Sequence, residues 1–273
     1  MNLTQGTVEH RHILWLRRRN LRPTTIYQRE RAILRLMRRL QAPSILWATT
    51  LALEEHLDHI ADAGSRRTEM CHLRGFFRWA HEEGLISADP TARLARIRPR
   101  KYLPRPIPHD DLRRALADAP ERVKPWLYLA AYAGLRACEI ATLRVEHLHW
   151  DEGMIFVAQT KGGGMSAVPL HPTLAAVLRD RLPAQGWAFT KDDGQPLNPW
   201  NVSHGVNRYL HGLGITHTLH TLRHWFGTEV HRLSGGDLRR TQELMRHDSP
   251  VSTAGYTWMD PGDGARVVAG LRA

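Results

Sequence analysis

Four prolines fall within ten residues, from Pro99 to Pro108, in Ile97-Arg-Pro-Arg-Lys-Tyr-Leu-Pro-Arg-Pro-Ile-Pro108. Proline fixes φ, lacks an amide proton and restricts the residue before it. No helix can run through this segment, and an extended strap is expected. The chain must therefore fold as separate parts on either side. Charge divides the same way. Residues 1–104 hold 19 Lys+Arg and 10 Asp+Glu, a net of +9, whereas residues 105–273 hold 19 and 17, a net of +2. The strap itself carries Arg98, Arg100, Lys101 and Arg105. A basic first part beside a nearly balanced second part points to a polyanion partner. Nearly all the cations are arginine, which makes forked contacts to phosphates and guanine edges. A solvated arginine-rich surface or a membrane-surface helix is the plainer reading of the charge alone.

The expected organisation is a helical domain over 1–97, a Pro/Arg-rich linker over 98–108 and a second domain over 109–273. Ile26, Ile33, Leu34, Met37 and Leu40 lie on one helical stripe, with Thr24 or Thr25 as its cap and Arg29, Arg31, Arg35, Arg38 and Arg39 on the remaining surface. A second stripe, Met70, Leu73, Phe76, Phe77 and Ala80, lies within a helix from Ser65 to Glu83 that Gly84 ends. It carries Arg66, Arg67, Arg74 and Arg78 on its other sides. Helices over 7–19 and 51–63 complete a four-helix bundle. Beyond the strap, helices are expected over 109–117, 121–133, 137–143, 172–181, 198–211 and 219–232. Met154 to Val157 and Ala167 to Leu170 read as strands around Thr160-Lys-Gly-Gly-Gly164, and Trp187 to Thr190 as a short strand. The fold class is thus mainly α with a small β hairpin, an α+β protein.

The longest apolar runs are too short to span a bilayer. The N-terminal MNLTQGTVEHRH lacks the pattern of a secretory signal. Cys71 and Cys138 are too few for a disulfide framework or a zinc set and read as small buried residues, so a reducing cytoplasm is expected.

The residues that carry chemistry lie in the second part. Cleaving a phosphodiester places extra negative charge on the nonbridging oxygens. Metal ions or a cluster of cationic donors must neutralise it while a nucleophile attacks in line and the leaving oxygen takes a proton. No carboxylate cluster for magnesium stands near the motifs. Arg136, Lys161, His220, Arg223 and His247 offer cationic donors, and Tyr256, nine residues after His247, offers a phenol. His220 and His224, four apart on an expected helix, also have a zinc-compatible spacing, but no partnering Cys/Asp/Glu pattern accompanies them. Tyr128, Tyr132 and Tyr209 are rival phenols.

Ala133-Gly-Leu-Arg-Ala-Cys-Glu-Ile-Ala-Thr-Leu143, Thr160-Lys-Gly-Gly-Gly164, His220-Thr-Leu-Arg-His224, Leu244-Met-Arg-His247 and Tyr256 together resemble, in order and spacing, the motifs of the tyrosine recombinase (phage integrase) family. The resemblance implies an N-terminal SAM-like core-binding bundle followed by a catalytic domain. It implies that Arg136 and Arg223 grip the scissile phosphate and that Lys161 protonates the leaving 5′ oxygen. His220 would assist proton transfer with the tyrosine, and His247 would hydrogen-bond a nonbridging oxygen. Tyr256 would form a 3′-phosphotyrosine link. Glu139 and His224 take supporting roles. No cofactor or metal is implied. The implied partner is double-stranded DNA with inverted core repeats, bound by a monomer that assembles into a homotetramer on synapsed DNA, in a bacterial, archaeal or phage setting, cytoplasmic and nucleoid-associated. Arg29, Arg35, Arg38, Arg39, Arg66, Arg67, Arg74, Arg78, Arg98, Arg100 and Lys101 are the candidate DNA contacts.

Two departures stand out. Glycine usually precedes the histidine at 247; here Arg246 either adds a phosphate contact or alters the helix end. The hairpin often has a further basic residue after the lysine; here it continues Gly-Gly-Gly-Met-Ser. The first expected helix begins within about ten residues of the start, leaving no room for an arm-binding domain, so the chain resembles minimal two-domain Xer-type and compact phage enzymes. The apolar tail Ala265 to Leu271 either packs on its own domain or docks on a neighbouring protomer. A type IB topoisomerase-like relaxation enzyme and an inactive DNA-binding regulator are the competing readings.

Overall fold

The computed structural model describes residues 5–98, 105–158 and 164–247, so Arg100, Lys101, Lys161, Tyr256 and the apolar tail lie outside the described residues. The chain divides into two compact units, Met1–Tyr102 and Leu103–Ala273.

The described part of the first unit contains α1 (Val8–Arg18), α2 (Pro23–Leu40), α3 (Thr50–Asp58) and α4 (Ala63–Glu82). The helical stripes close around buried Ile33, Leu36, Leu53, Leu73, Phe76 and Phe77. Each such fully buried side chain contributes roughly 1.5–3 kcal/mol. Caps set the starts. Thr7 Oγ1 accepts from the His10 amide at 3.2 Å, and Asp62 Oδ2 accepts from the Ser65 amide at 2.7 Å. The expected threonine cap on α2 is corrected: Arg22 is the cap residue and Pro23 opens the helix, because proline's fixed φ suits the first turn. Helix α4 likewise starts before Ser65, at Ala63, and α3 stops at Asp58 rather than residue 63. Gly84 does end α4, with φ 69 and the Leu85 amide reaching back to the Ala80 carbonyl at 2.8 Å. Buried Glu9, invisible to periodicity, accepts from Ser44 Oγ at 2.6 Å and the Ile45 amide at 2.9 Å, tying α1 to the loop after α2. Cys71 is exposed and Cys138 only partly buried, contrary to expectation. Cys71 sits beside the apolar stripe of α4 rather than within it.

The second unit runs α5 (His109–Ala117), α6 (Lys124–Tyr132), α7 (Ala137–Ala141), β1 (Leu148–His149), β2 (Met154–Ala158), β3 (Met165–Pro169), α8 (Pro172–Arg179), α9 (Pro199–Gly212), α10 (Leu219–Leu233) and α11 (Leu238–Met245). The three strands form an antiparallel sheet in the order β1-β2-β3, with Met154 opposite Pro169 and Ala158 opposite Met165. Ile155, Val157 and Val168 turn inward to a core that also holds Leu127, Leu129, Leu135, Ile140, Val206 and Leu222. The end of the strap belongs to this core: Ile107 is buried, and its amide donates to the Thr221 carbonyl at 3.3 Å. Trp187 to Thr190 is not a strand. Trp187 and Thr190 form only isolated bridges, to Arg144 and Pro196, because no neighbouring strand is long enough to build a ladder. The sequence pointed to a helix end at Arg246 but gave no bounds for α11. Among the described residues, no helix is long and apolar enough to cross a membrane.

Candidate active site

The site is built on the corner between α6 and α7. Gly134 turns the chain there with φ 58, and a Cβ at that position would lie 2.4 Å from Cδ1 of Phe226 on α10. Only glycine permits both the left-handed backbone and that approach. The buried carbonyl of Gly134 accepts from Arg223 Nη1 and, at 2.7 Å, from Arg246 Nη2. The corner thus joins α10 and the end of α11.

Three guanidiniums converge on one carboxylate. Arg136 caps α7, where its amide donates to Glu139 Oε2 at 2.7 Å and its Nη1 donates to Glu139 Oε1 at 2.8 Å. Its Nη2 reaches the Arg246 carbonyl at 3.2 Å. Arg246 Nη2 donates to Glu139 Oε2 at 2.9 Å, and Arg223 Nη1 lies 3.9 Å from the same oxygen. Arg223 also donates to the Met245 carbonyl. Arg223 and Arg246 are buried, with side chains 2% and 4% exposed, while Arg136 remains 34% exposed at the mouth. Burial alone would raise the Glu139 pKa. Arg246, the Arg136 amide and Arg223 outweigh it and hold the carboxyl below its ordinary value. One carboxylate against three guanidiniums leaves the pocket an electropositive receptor for an oxyanion.

The histidines are held neutral. His224 and His247 are each lowered to about 4, in both cases first by burial, then by His220 and Arg223 for His224 and by Arg223 and Arg136 for His247. His220 is lowered by burial of its ring, then by Arg223 and Arg136. His220, Arg223 and His224 share one side of α10 by their spacing, and the two imidazoles pack edge to face at 4.4 Å. A neutral imidazole can accept a proton on one nitrogen and donate from the other. No group of three His, Cys, Asp or Glu side chains among the described residues is arranged to hold a metal.

A cleft of about 540 Å³ opens between α7, the β2–β3 hairpin and α11, lined by Arg136, Glu139, Arg246 and His247 on one side and Val157, Ala158 and Ser166 on the other. A second cleft of about 370 Å³ is lined by Arg136, His220 and Arg223. Arg136 therefore borders both. Residues 159–163, which include Lys161, follow β2 and precede β3 in the sequence and lie outside the described residues. The rival phenols serve packing. Tyr209 donates to the Ala115 carbonyl at 3.0 Å, Tyr128 stacks on Tyr132 at 5.6 Å, and burial raises the pKa of both Tyr128 and Tyr209.

The candidate DNA arginines of the first unit are not equivalent. Arg38, Arg39, Arg67, Arg78 and Arg98 are exposed, while Arg29, Arg66 and Arg74 are partly buried. Arg35 is exposed as a residue, yet its fork is closed on buried Glu69, with Nε 3.0 Å from Oε1, and that carboxylate also takes His56 Nε2 at 3.1 Å. Arg74 donates to the Leu94 carbonyl at 2.7 Å and Arg66 to the Ile60 carbonyl at 2.9 Å. These three side chains are engaged in the fold. The residue of the cleft that the sequence left undecided is Arg246, whose guanidinium points inward onto Glu139. The one sequence signal was its place where glycine is usual.

The Phage integrase family model matches residues 106–261. The Tyrosine recombinase XerC of Bradyrhizobium diazoefficiens is 33% identical over 226 aligned residues, covering 74% of this chain and 69% of that protein. The lambda integrase dimer bound to a COC′ core site superposes with a TM-score of 0.75 at 20% identity, covering 93% of this chain and 77% of that one. The lambda integrase tetramer bound to a Holliday junction gives 0.72 at 20% identity, covering 89% and 76%. With the family model spanning more than half of its length, this chain belongs to the phage integrase family of tyrosine recombinases.

Proposed function

We propose that this protein is a site-specific DNA recombinase, or integrase, that cleaves and rejoins double-stranded DNA through a 3′-phosphotyrosine intermediate, needing neither metal nor ATP for strand transfer. The observation that carries the reading is the convergence of Arg136, Arg223 and Arg246 on Glu139, beside an open cleft that His247 also lines. Arg136 and Arg223 bind the nonbridging oxygens of the scissile phosphate, and His247 donates a third hydrogen bond. The Tyr256 oxygen attacks phosphorus, the bond to the 5′ oxygen breaks, and Lys161 supplies the proton that oxygen takes. His220, held neutral, accepts the phenol's proton. The new phosphotyrosine ester conserves the bond energy, so a second 5′ hydroxyl can attack it in reverse.

Residues 1–97 form the core-DNA-binding domain, 98–108 the linker and 109–273 the catalytic domain. Arginines of α2 and α4 track phosphates and read major-groove edges. By analogy with the lambda integrase tetramer on a Holliday junction, the chain assembles as a homotetramer on paired sites carrying inverted core repeats. Function in the cytoplasm, at the nucleoid, follows from a DNA substrate.

A duplex nicked near its scissile phosphate, which loses the short leaving strand, tests this. The native chain should trap as a covalent protein–DNA complex, and Tyr256→Phe should not. Absence of any trapped complex with core-type sites would sink the reading in favour of a DNA-binding regulator. Relaxation of plasmids lacking any site would favour a topoisomerase.

A further inference from the structure

Arg246 closes α11 with φ 52 and ψ 50, a left-handed conformation that favours glycine. Asn20 and Gln41, the other described non-glycine residues with positive φ, are exposed. Arg246 instead turns inward, its side chain 4% exposed. Such an arginine is held by what its side chain reaches. Nη1 donates to the Leu244 carbonyl at 2.9 Å and the Ala133 carbonyl at 3.3 Å, and Nη2 to the Gly134 carbonyl at 2.7 Å and Glu139 Oε2 at 2.9 Å. Three of these four acceptors belong to the α6–α7 segment that carries Arg136. In return, the Arg246 carbonyl accepts from Arg136 Nη2 at 3.2 Å. The connection between Arg136 and the end of α11 therefore runs in both directions through this one residue.

We propose that Arg246 is a positioning residue for strand cleavage, clasping the end of α11 to the Gly134 corner and fixing the fork of Arg136 through the shared carboxylate of Glu139. The proposal rests on the recombinase reading above. A guanidinium suits the task because its planar fork spans a carbonyl and a carboxylate at once, whereas a lysine ammonium is a single point charge on a flexible stem. Glycine would fit the backbone better and keep the carbonyl that Arg136 reaches, but it would remove the fork that holds Glu139 and the Gly134 carbonyl in place.

Three chains decide it: native, Arg246→Gly and Arg246→Lys. The rate of covalent-complex formation on the nicked duplex should fall about 10- to 100-fold in Arg246→Gly, the scale of a misplaced binding group, with partial rescue in Arg246→Lys. Duplex affinity should stay within about 2-fold, because the loss lies in the transition state rather than in binding. Crystal structures of the native and Arg246→Gly chains read the same claim without chemistry: Arg136 Nη1 should leave Glu139 in the variant. A native cleavage rate in Arg246→Gly, or equal losses of rate and affinity, would overturn the proposal, as would an undisturbed Arg136–Glu139 pair. Should Arg246→Gly fail to fold, Arg246→Lys carries the same rate and structural comparison. A native chain that forms no covalent complex defeats the recombinase reading, and the crystal pair still decides the positioning claim.

Discussion

Gly134→Ala is the sharpest perturbation of the scaffold under the site. The new methyl carbon would lie 2.4 Å from Phe226 Cδ1 and 2.7 Å from Cε1, both far inside van der Waals contact, so the ring or the corner must move. Overpacking of this kind costs about 1–3 kcal/mol. The φ of 58 adds a separate backbone penalty of about 1–2 kcal/mol for any residue with a Cβ. Together they predict roughly 2–5 kcal/mol of destabilisation. For a unit the size of Leu103–Ala273 that is a fall in melting temperature of roughly 4–20 °C. The two contributions separate in a double-mutant cycle with Phe226→Leu. A smaller side chain relieves the clash and leaves the backbone penalty, so the pair should be coupled by about 1–3 kcal/mol. Covalent-complex formation should fall as well, because the displaced carbonyl of Gly134 is the acceptor that Arg223 and Arg246 share. Thermal unfolding of the four chains measures the cycle. Strict additivity, or a Gly134→Ala chain within about 1 kcal/mol of native, would refute the argument that close approach and positive φ both require glycine.

Glu139→Gln keeps the shape and removes the charge that three guanidiniums surround. It should destabilise the second unit by about 3 kcal/mol at neutral pH. Because the folded pKa of Glu139 is depressed, its contribution is present above the ordinary carboxylate pKa and is lost as pH falls through the lowered value. The variant should therefore lose less stability than native on acidification, and parallel acid curves would contradict this. His12 sits fully buried among Trp15, Phe76 and Trp79, with neither ring nitrogen partnered among the described residues. Burial, then Arg29, lowers its pKa from 6.5 to about 3. Below 6.5 the unfolded chain takes up a proton that the folded chain excludes, so stability drains away between 6.5 and about 3. His12→Leu should match native at pH 7 and exceed it by ~2 kcal/mol at pH 5 in denaturant titrations; an unchanged difference between the two pH values counts against a buried neutral imidazole. Arg38→Ala and Arg78→Ala, at exposed positions of α2 and α4, should each lower the slope of log affinity against log salt by about 1. An unaltered slope removes those side chains from the DNA surface.

The parts of this molecule that were legible in its sequence are those where one local rule acts without rivals. Prolines from 99 to 108 interrupt any helix, and the two units separate within that segment. The stripes of α2 and α4 repeat for several turns, so the buried face is over-determined, whereas helix starts shift by a residue or two with the caps available. Trp187 to Thr190 misled because three apolar residues and a β-branched threonine satisfy a strand pattern while the ladder depends on partners elsewhere in the chain. The extent of helix α11 escaped notice because eight residues rich in charge carry only Thr241 and Met245 as buried positions. In the site, side-chain types at fixed spacings pointed to Arg136, His220, Arg223 and His247, and these side chains line the two adjoining clefts. What those spacings could not reveal was the route of Arg246. Its direction is set by a backbone torsion at a helix end and by carbonyls more than a hundred positions earlier in the chain. A buried cation beside two others is unfavourable unless a carboxylate and free carbonyls stand ready for it. Those acceptors exist only because Gly134 turns the α6–α7 corner with its oxygen facing α11, so the arginine at 246 and the glycine at 134 have to be understood as one device.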